Sequence, residues 1–334
     1  MIVCNYLWRK ALVVLFAIVA VLPAVGSSWQ PDFLSGYEQR RLALGNGDVA
    51  TVVRHSGNVE HRRAVVYLHG FNDYFFQSQL GDSIVAHGYS FYAVDLRRYG
   101  RSLRQAERPF DVGDLAVYFE EIDSVLSVAK SEGIRNVYLL GHSTGGLILS
   151  YYLQRRGTGA GFIKGLMLNS PFLDMNLSWF EEKILVPIVS IMPFKSMLIS
   201  QGNSRAYSES LLKKYHGEWN YNTSWKFEVS PKVSVGWITA IHRAQKKLHK
   251  NGVDLGVPIL LMRSAHSVSG GEWTEEFNRG DSVLDVDDIS KFGRRLGSDV
   301  DEYVFDGGLH DLILSAEPVR NRVYATMFMW LSAR

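Results

Sequence analysis

At 334 residues, with 46% hydrophobic and 21% charged side chains and a formal net charge of +2, the chain has the composition of a protein with a large buried core. Its charges are dispersed, with no polybasic run and no acidic tail, so a nucleic-acid partner is not expected. The length suits one large α/β domain carrying an insertion, or two ordinary domains.

The N-terminal segment stands apart from the rest. Arg9 and Lys10 precede an apolar run from Ala11 to Leu22, and Pro23, Ala24, Val25 and Gly26 follow. A basic start, an apolar stretch of this length and small residues at Ala24 and Gly26 form the pattern of a secretory signal peptide over residues 1–26. An uncleaved anchor is the alternative. Against it, the run is short for a hydrocarbon core about 30 Å thick, and Pro23 breaks it. Cys4 is the only cysteine, so cleavage leaves a chain without disulfides or thiol chemistry, at ease in an oxidising periplasmic or secreted setting.

After a polar entry, Arg41–Leu44 and Val49–Arg54 read as an antiparallel pair around Gly45-Asn46-Gly47. An alternating pattern follows. Ala64–Leu68 is a buried strand, Phe75–His87 is helical, Tyr89–Asp95 is a strand and Ala116–Lys130 is an amphipathic helix. Strands are expected again over 136–141, 165–169, 258–262 and 302–305, with a closing helix over 320–332. Continuous apolar strands separated by helices indicate a mostly parallel sheet covered on both faces. Between Phe172 and about His249 no strand is evident and large apolar residues are dense, among them Trp179, Ile188, Trp219, Trp225 and Trp237. This region, about 173–250, reads as a helical cap inserted into a domain spanning 36–334.

The most informative stretch runs from Asn136 to Ser150. An apolar strand meets Gly141-His142-Ser143-Thr144-Gly145, and a helical segment follows at once. In that strand–turn–helix context G-x-S-x-G is a nucleophile elbow. A side chain two residues before or after the serine would collide with neighbouring backbone, and glycine removes it.

A nucleophilic serine needs a base, an orienting acid and an oxyanion hole. His310 follows the last strand and a Gly307-Gly308 break, which is the place chain order assigns to the base. The acid belongs in the long loop after Met262, where Asp281 is favoured over Asp285; Asp174, after the preceding strand, is a third option. Asp287 and Asp288 read as solvated residues at a helix start, and His142 as a variable elbow position turned away from Ser143. Oxyanion donors are expected at the backbone N–H groups of Thr144 and of Phe71, which follows the His69-Gly70 turn.

These motifs resemble a known family. His69-Gly70 after a strand, Asp95 through Gly100-Arg101-Ser102, Gly141 through Gly146 and a late Gly-x-His are similar to α/β-hydrolases of the monoacylglycerol lipase and lysophospholipase type, also grouped as serine aminopeptidase-like hydrolases. The resemblance covers roughly residues 41–331. It implies the α/β-hydrolase fold and carries that family's Ser, Asp and His onto Ser143, Asp281 and His310. The 95–102 turn is structural there. Two departures stand out: residues 264–280 intervene between the strand and the acid, and Asn72-Asp73-Tyr74 replaces the glycine and glutamate usual after the oxyanion turn.

Together these point to a serine hydrolase that cleaves carboxylic esters without metal or organic cofactor. The expected substrate is a monoacyl lipid, taken up by an apolar cap pocket. The apolar stretch Ile184 to Leu198 also suits a peripheral membrane contact, and the chain is expected to act as a monomer. Two alternatives are a serine peptidase acting at N-termini, against which no obvious acidic cluster is seen, and a non-catalytic ligand-binding protein of the same fold.

Overall fold

The computed structural model describes residues 28–58, 62–175, 195–200 and 204–334. The N-terminal segment with Cys4, and most of the apolar stretch 184–198, lie outside the described residues.

Nine strands of the described residues form one sheet in the order β1-β2-β3-β5-β4-β6-β7-β10-β11. In chain order these are β1 (Gln30–Pro31), β2 (Tyr37–Ala43), β3 (Val49–His55), β4 (Arg63–Leu68), β5 (Ser90–Asp95), β6 (Asn136–His142), β7 (Ile163–Asn169), β10 (Ile259–Ser264) and β11 (Val300–Phe305). The β1–β2, β2–β3 and β3–β5 pairs are antiparallel. From β5 across to β11 every pair is parallel. The α/β-hydrolase architecture expected from the sequence is the one observed.

Alternation along each strand builds two cores. On β4, Val66 and Leu68 face one cluster while Val65 and Tyr67 face the other. The first is covered by the helices Phe119–Ser131, Thr144–Arg156 and Val235–Leu248, through Ile122, Val125, Leu147, Trp237 and Ile241. The second is covered by the helices Ser78–Ala86 and Glu317–Ser332, through Leu80, Ile84, Val323, Met327 and Trp330. A strand buried on both faces has no polar side to show, which is why it reads as an unbroken apolar run.

The sheet departs from the sequence reading at two places. β1 extends the sheet edge ahead of residue 36, pairing Gln30 with Gln39. Within the cap, β8 (Leu198–Ile199) pairs with β9 (Val233–Ser234) where no strand was expected. Two-residue strands leave no periodicity to detect.

Parallel strands end on the same edge, so the segments after β4, β6, β7, β10 and β11 converge there. The turn after β5 braces that edge. Asp95, fully buried, accepts from the backbone N–H of Phe75 and Arg101 and from the Arg101 guanidinium at 2.9 Å, while Arg101 forks onto Asp32 at 2.7 and 2.8 Å. The Ser102 hydroxyl donates to the Asp95 carbonyl. One cation thus neutralises two buried carboxylates. Removing it alone strands both charges. Arg101→Met is expected to destabilise the fold by about 3–5 kcal/mol, read as a lowered urea midpoint, and Arg101→Lys is expected to recover only part because it lacks the planar fork.

Candidate active site

The elbow is strained, and its glycines explain how it is tolerated. Ser143 sits at φ 51° and ψ −117°, a left-handed conformation rare for a non-glycine residue. A Cβ on Gly145 would lie 2.3 Å from the Leu68 carbonyl oxygen, and one on Gly141 would lie 2.7 Å from the Cα of Gly146. Both contacts are impossible, so only glycine lets the helix Thr144–Arg156 approach β4 and β6 this closely. The Ser143 N–H donates to the Asn169 carbonyl at 3.0 Å, and the Ser143 carbonyl accepts from Leu147 and Phe172.

The turn after β4 lies against the elbow. A Cβ on Gly70 would meet the Cβ of Ser143 at 3.1 Å. His69, buried, holds the turn: its Nδ1 contacts the Gly70 carbonyl at 2.8 Å and its Nε2 accepts from the Leu96 N–H at 3.2 Å. Those two bonds assign a neutral ring protonated on Nδ1. Thr144 opens the helix after β6, where first-turn N–H groups have no acceptor within the helix. Phe71 is fixed by ring contacts with Trp237 at 4.7 Å and Phe110 at 5.0 Å. The residues that depart from the family pattern here dock the cap. Asn72 exchanges two 2.8 Å hydrogen bonds with the Phe227 backbone, and Asp73 takes Lys226 at 2.8 Å.

Among the carboxylates weighed from sequence, Asp281 is the one at His310. His310 Nδ1 and Asp281 Oδ2 are 2.9 Å apart, both residues buried. Asp281 Oδ1 accepts the Val283 and Leu284 N–H groups, each at 2.8 Å, which orients the carboxylate and leaves Oδ2 to the imidazole. The long interval after β10 is a closed excursion. The Asp281 N–H donates to the His266 carbonyl, the Val268 N–H donates back to the Asp281 carbonyl, and Ser267 bridges Asp281 in parallel register. In space, therefore, Asp281 stands just past the end of β10. Asp285 instead caps the helix Val286–Gly293, accepting from the Asp287 and Asp288 N–H groups. Asp174 lies 3.8 Å from His249.

Asn169, absent from the sequence reading, joins the elbow to the segment that follows His310. Its carbonyl receives Ser143, its amide donates to Asp311 Oδ1 at 2.7 Å and its side-chain oxygen accepts from the Leu312 N–H. An asparagine ending an otherwise apolar strand was the available signal. His142 is a buried part of the same framework rather than a free elbow position: its Nδ1 contacts the Asn169 carbonyl at 3.2 Å and its ring centre lies 4.9 Å from that of His310. Asp73, His142 and Asp311 bring potential metal-ligand atoms within 4.8 Å of one another. One oxygen of each carboxylate is committed to a protein donor, Lys226 or Asn169.

A cavity of about 320 Å³ opens on the elbow, lined by Phe71, Ser143, Thr144, Phe172, Met175 and Trp237. Asp174, Asp285 and Asp288 line it as well, so the acidic cluster judged absent from the sequence exists. Asp288 is no merely solvated residue. Burial pushes its carboxyl up, and the nearby Asp174 and Asp285 charges push the same way.

Two outcomes follow. Asp281→Asn, which keeps shape but not charge, is expected to lower kcat about 10⁴-fold, whereas Asp285→Ala is expected to act on stability, by about 1 kcal/mol for a lost helix cap. Burial also holds His69 and His142 below the usual pKa of 6.5, against the pull of neighbouring carboxylates. Their folded pKa values lie below the unfolded one, so this stabilisation is complete above pH 6.5 and is lost as pH falls below it. Urea midpoints are expected to drop between about pH 7 and pH 5, with a shallower slope in His142→Asn.

The chain and its fold are similar to those of known proteins. A probable lysophospholipase L2 from Haemophilus influenzae is 23% identical over 274 residues, which is 75% of this chain and 79% of that protein. The fold superposes on a monoglyceride lipase from Saccharomyces cerevisiae with a TM-score of 0.60 at 19% identity, over 91% of this chain and 95% of that one. It also superposes on a carboxyl esterase from Bacillus coagulans with a TM-score of 0.60 at 13% identity, over 90% and 99%. The serine aminopeptidase (S33) profile of the α/β-hydrolases matches residues 59–317, and the chain belongs to that family.

Proposed function

We propose that the protein hydrolyses carboxylic esters of monoacyl lipids, a monoacylglycerol or lysophospholipid, through an acyl-enzyme on Ser143. The observation that carries this reading is the 2.9 Å His310–Asp281 contact beside an aromatic-lined cavity that includes Ser143. His310 takes the hydroxyl proton as Ser143 Oγ attacks the ester carbonyl, and Asp281 holds the imidazole tautomer and stabilises its cation. The Phe71 and Thr144 N–H groups receive the developing oxyanion. His310 then passes its proton to the departing alcohol. In the second half, water adds to the acyl-enzyme with His310 as base, the Ser143–acyl bond breaks, and the free acid leaves.

The names of the relatives, lysophospholipase, monoglyceride lipase and carboxyl esterase, support a lipid-like ester. The cavity does so physically. Phe71, Phe172, Met175 and Trp237 offer an acyl chain an apolar wall. Met197, Leu198 and Ile199 are exposed on the cap, which suits a peripheral contact with a lipid surface by a monomeric enzyme. Among the described residues no helix is long and apolar enough to cross a membrane. We assign residues 1–26 the role of exporting the chain, with retention as an anchor the alternative.

A fluorophosphonate probe is expected to label the wild type and not Ser143→Ala; no labelling of folded wild type would refute the serine mechanism. Across a series of p-nitrophenyl esters and monoacylglycerols, kcat/KM is expected to rise with acyl length up to the capacity of the pocket. A flat profile would refute the lipid assignment.

A further inference from the structure

Beside His310 lies a group of buried polar side chains that acyl transfer does not use. Asp73, in the turn after β4, His142, at the end of β6, and Asp311, next to His310, each bring one ligand atom within 4.8 Å of the other two. All three are at most 3% exposed. Oδ2 of Asp73 and Oδ2 of Asp311 are buried and accept no hydrogen bond. Lys226 answers Asp73 through Oδ1, but among the described residues no lysine or arginine pairs with Asp311. Its Oδ1 takes only the neutral Asn169 amide and the Ile313 N–H. His142 adds no donor. Its Nδ1 faces the Asn169 carbonyl at 3.2 Å, which assigns the proton of the neutral ring to that nitrogen. Nε2 then presents a lone pair to Asp311 Oδ2 at 3.9 Å, too far for a hydrogen bond. Two buried carboxylates and an imidazole lone pair thus meet with one lysine to answer them. A buried carboxylate without a cationic partner is costly.

We infer that Asp73, His142 and Asp311 bind a divalent metal ion of the zinc type. One imidazole and two carboxylates form a donor set that Zn²⁺ accepts. Three atoms within 4.8 Å of one another enclose a point no more than about 2.8 Å from each, so shifts of about half an ångström give the ~2.0–2.2 Å that zinc requires. The outer contacts suit a metal site too. A ligating histidine commonly donates its other N–H to a backbone carbonyl, here that of Asn169, and the Asn169 amide holds Asp311. The ion offsets the negative charge that Lys226 leaves unanswered. Its role is structural: it fastens the turn after β4, the end of β6 and the segment after β11 to one another, and no step at Ser143 passes through it.

The test starts from the wild-type chain, stripped with EDTA, dialysed and titrated with Zn²⁺. We expect one equivalent to bind and Tm to rise by about 5 °C at zinc well above Kd. His142→Asn and Asp73→Asn are each expected to abolish both effects, whereas His266→Ala, at the exposed His266–Glu276 pair, keeps them. Because a buried substitution can prevent folding, zinc-edge anomalous scattering from zinc-loaded wild-type crystals locates the ion without one. A peak among Asp73, His142 and Asp311 is expected. No stoichiometric binding to the wild type, undiminished binding in folded His142→Asn, or a peak elsewhere overturns the inference.

Discussion

The left-handed backbone of Ser143 is the constraint on which the rest of the site depends. Holding a serine at φ 51° requires two glycines, because the helix after the elbow passes within touching distance of β4 and β6. The Gly70 turn lies against Ser143 as well, where a Cβ on Gly70 would meet the Ser143 Cβ at 3.1 Å. The Asn169 carbonyl accepts from the Ser143 N–H. Strain of this kind costs of order 1–3 kcal/mol and persists only where the surroundings over-determine it. Here they do. The strand, the helix, the turn after β4 and the end of β7 all meet at one residue.

What was legible in the sequence follows from how local each signal is. Buried parallel strands are apolar on both faces, so β4, β5, β6, β7 and β10 appear as runs. The elbow is legible because its strain is relieved within five consecutive residues. His310 is legible because its glycine break lies next to it in the chain. Asp281 is harder, since the hydrogen bonds that return the chain to Ser267 are made by backbone groups and leave no side-chain pattern. Asn169 and the Asp174–Asp285–Asp288 wall are harder still. Each depends on which loops the sheet order brings together, and strands adjacent in the sheet, such as β7 and β10, are separated in the chain by the whole cap.

The cap shows how a family framework is adapted without touching the reacting atoms. Asn72 and Asp73 follow Phe71 in the turn after β4, and both are bonded to the cap segment Lys226–Phe227. Trp219 donates to the Leu314 carbonyl in the segment just after His310. The cap is therefore tied both to the turn after β4 and to the segment after His310. These ties bury Lys226 against Asp73, beside the buried His142 and Asp311, and a buried ion pair of that kind contributes little net stability against an apolar replacement. Its effect is positional. It sets where the cap lies over the strand ends, and so which of its side chains face Ser143.

That placement has a consequence for specificity. Trp237 is brought over Phe71 by the helix Val235–Leu248, while Val283 and Leu284, whose N–H groups orient Asp281, also line the cavity. The acid segment thus serves two ends. Its backbone positions the carboxylate behind His310, and its side chains, with Asp285 and Asp288 just beyond, shape the wall a substrate meets. Changes in this short stretch reach both the His310 partner and the cavity wall, because one hydrogen-bonded turn carries both.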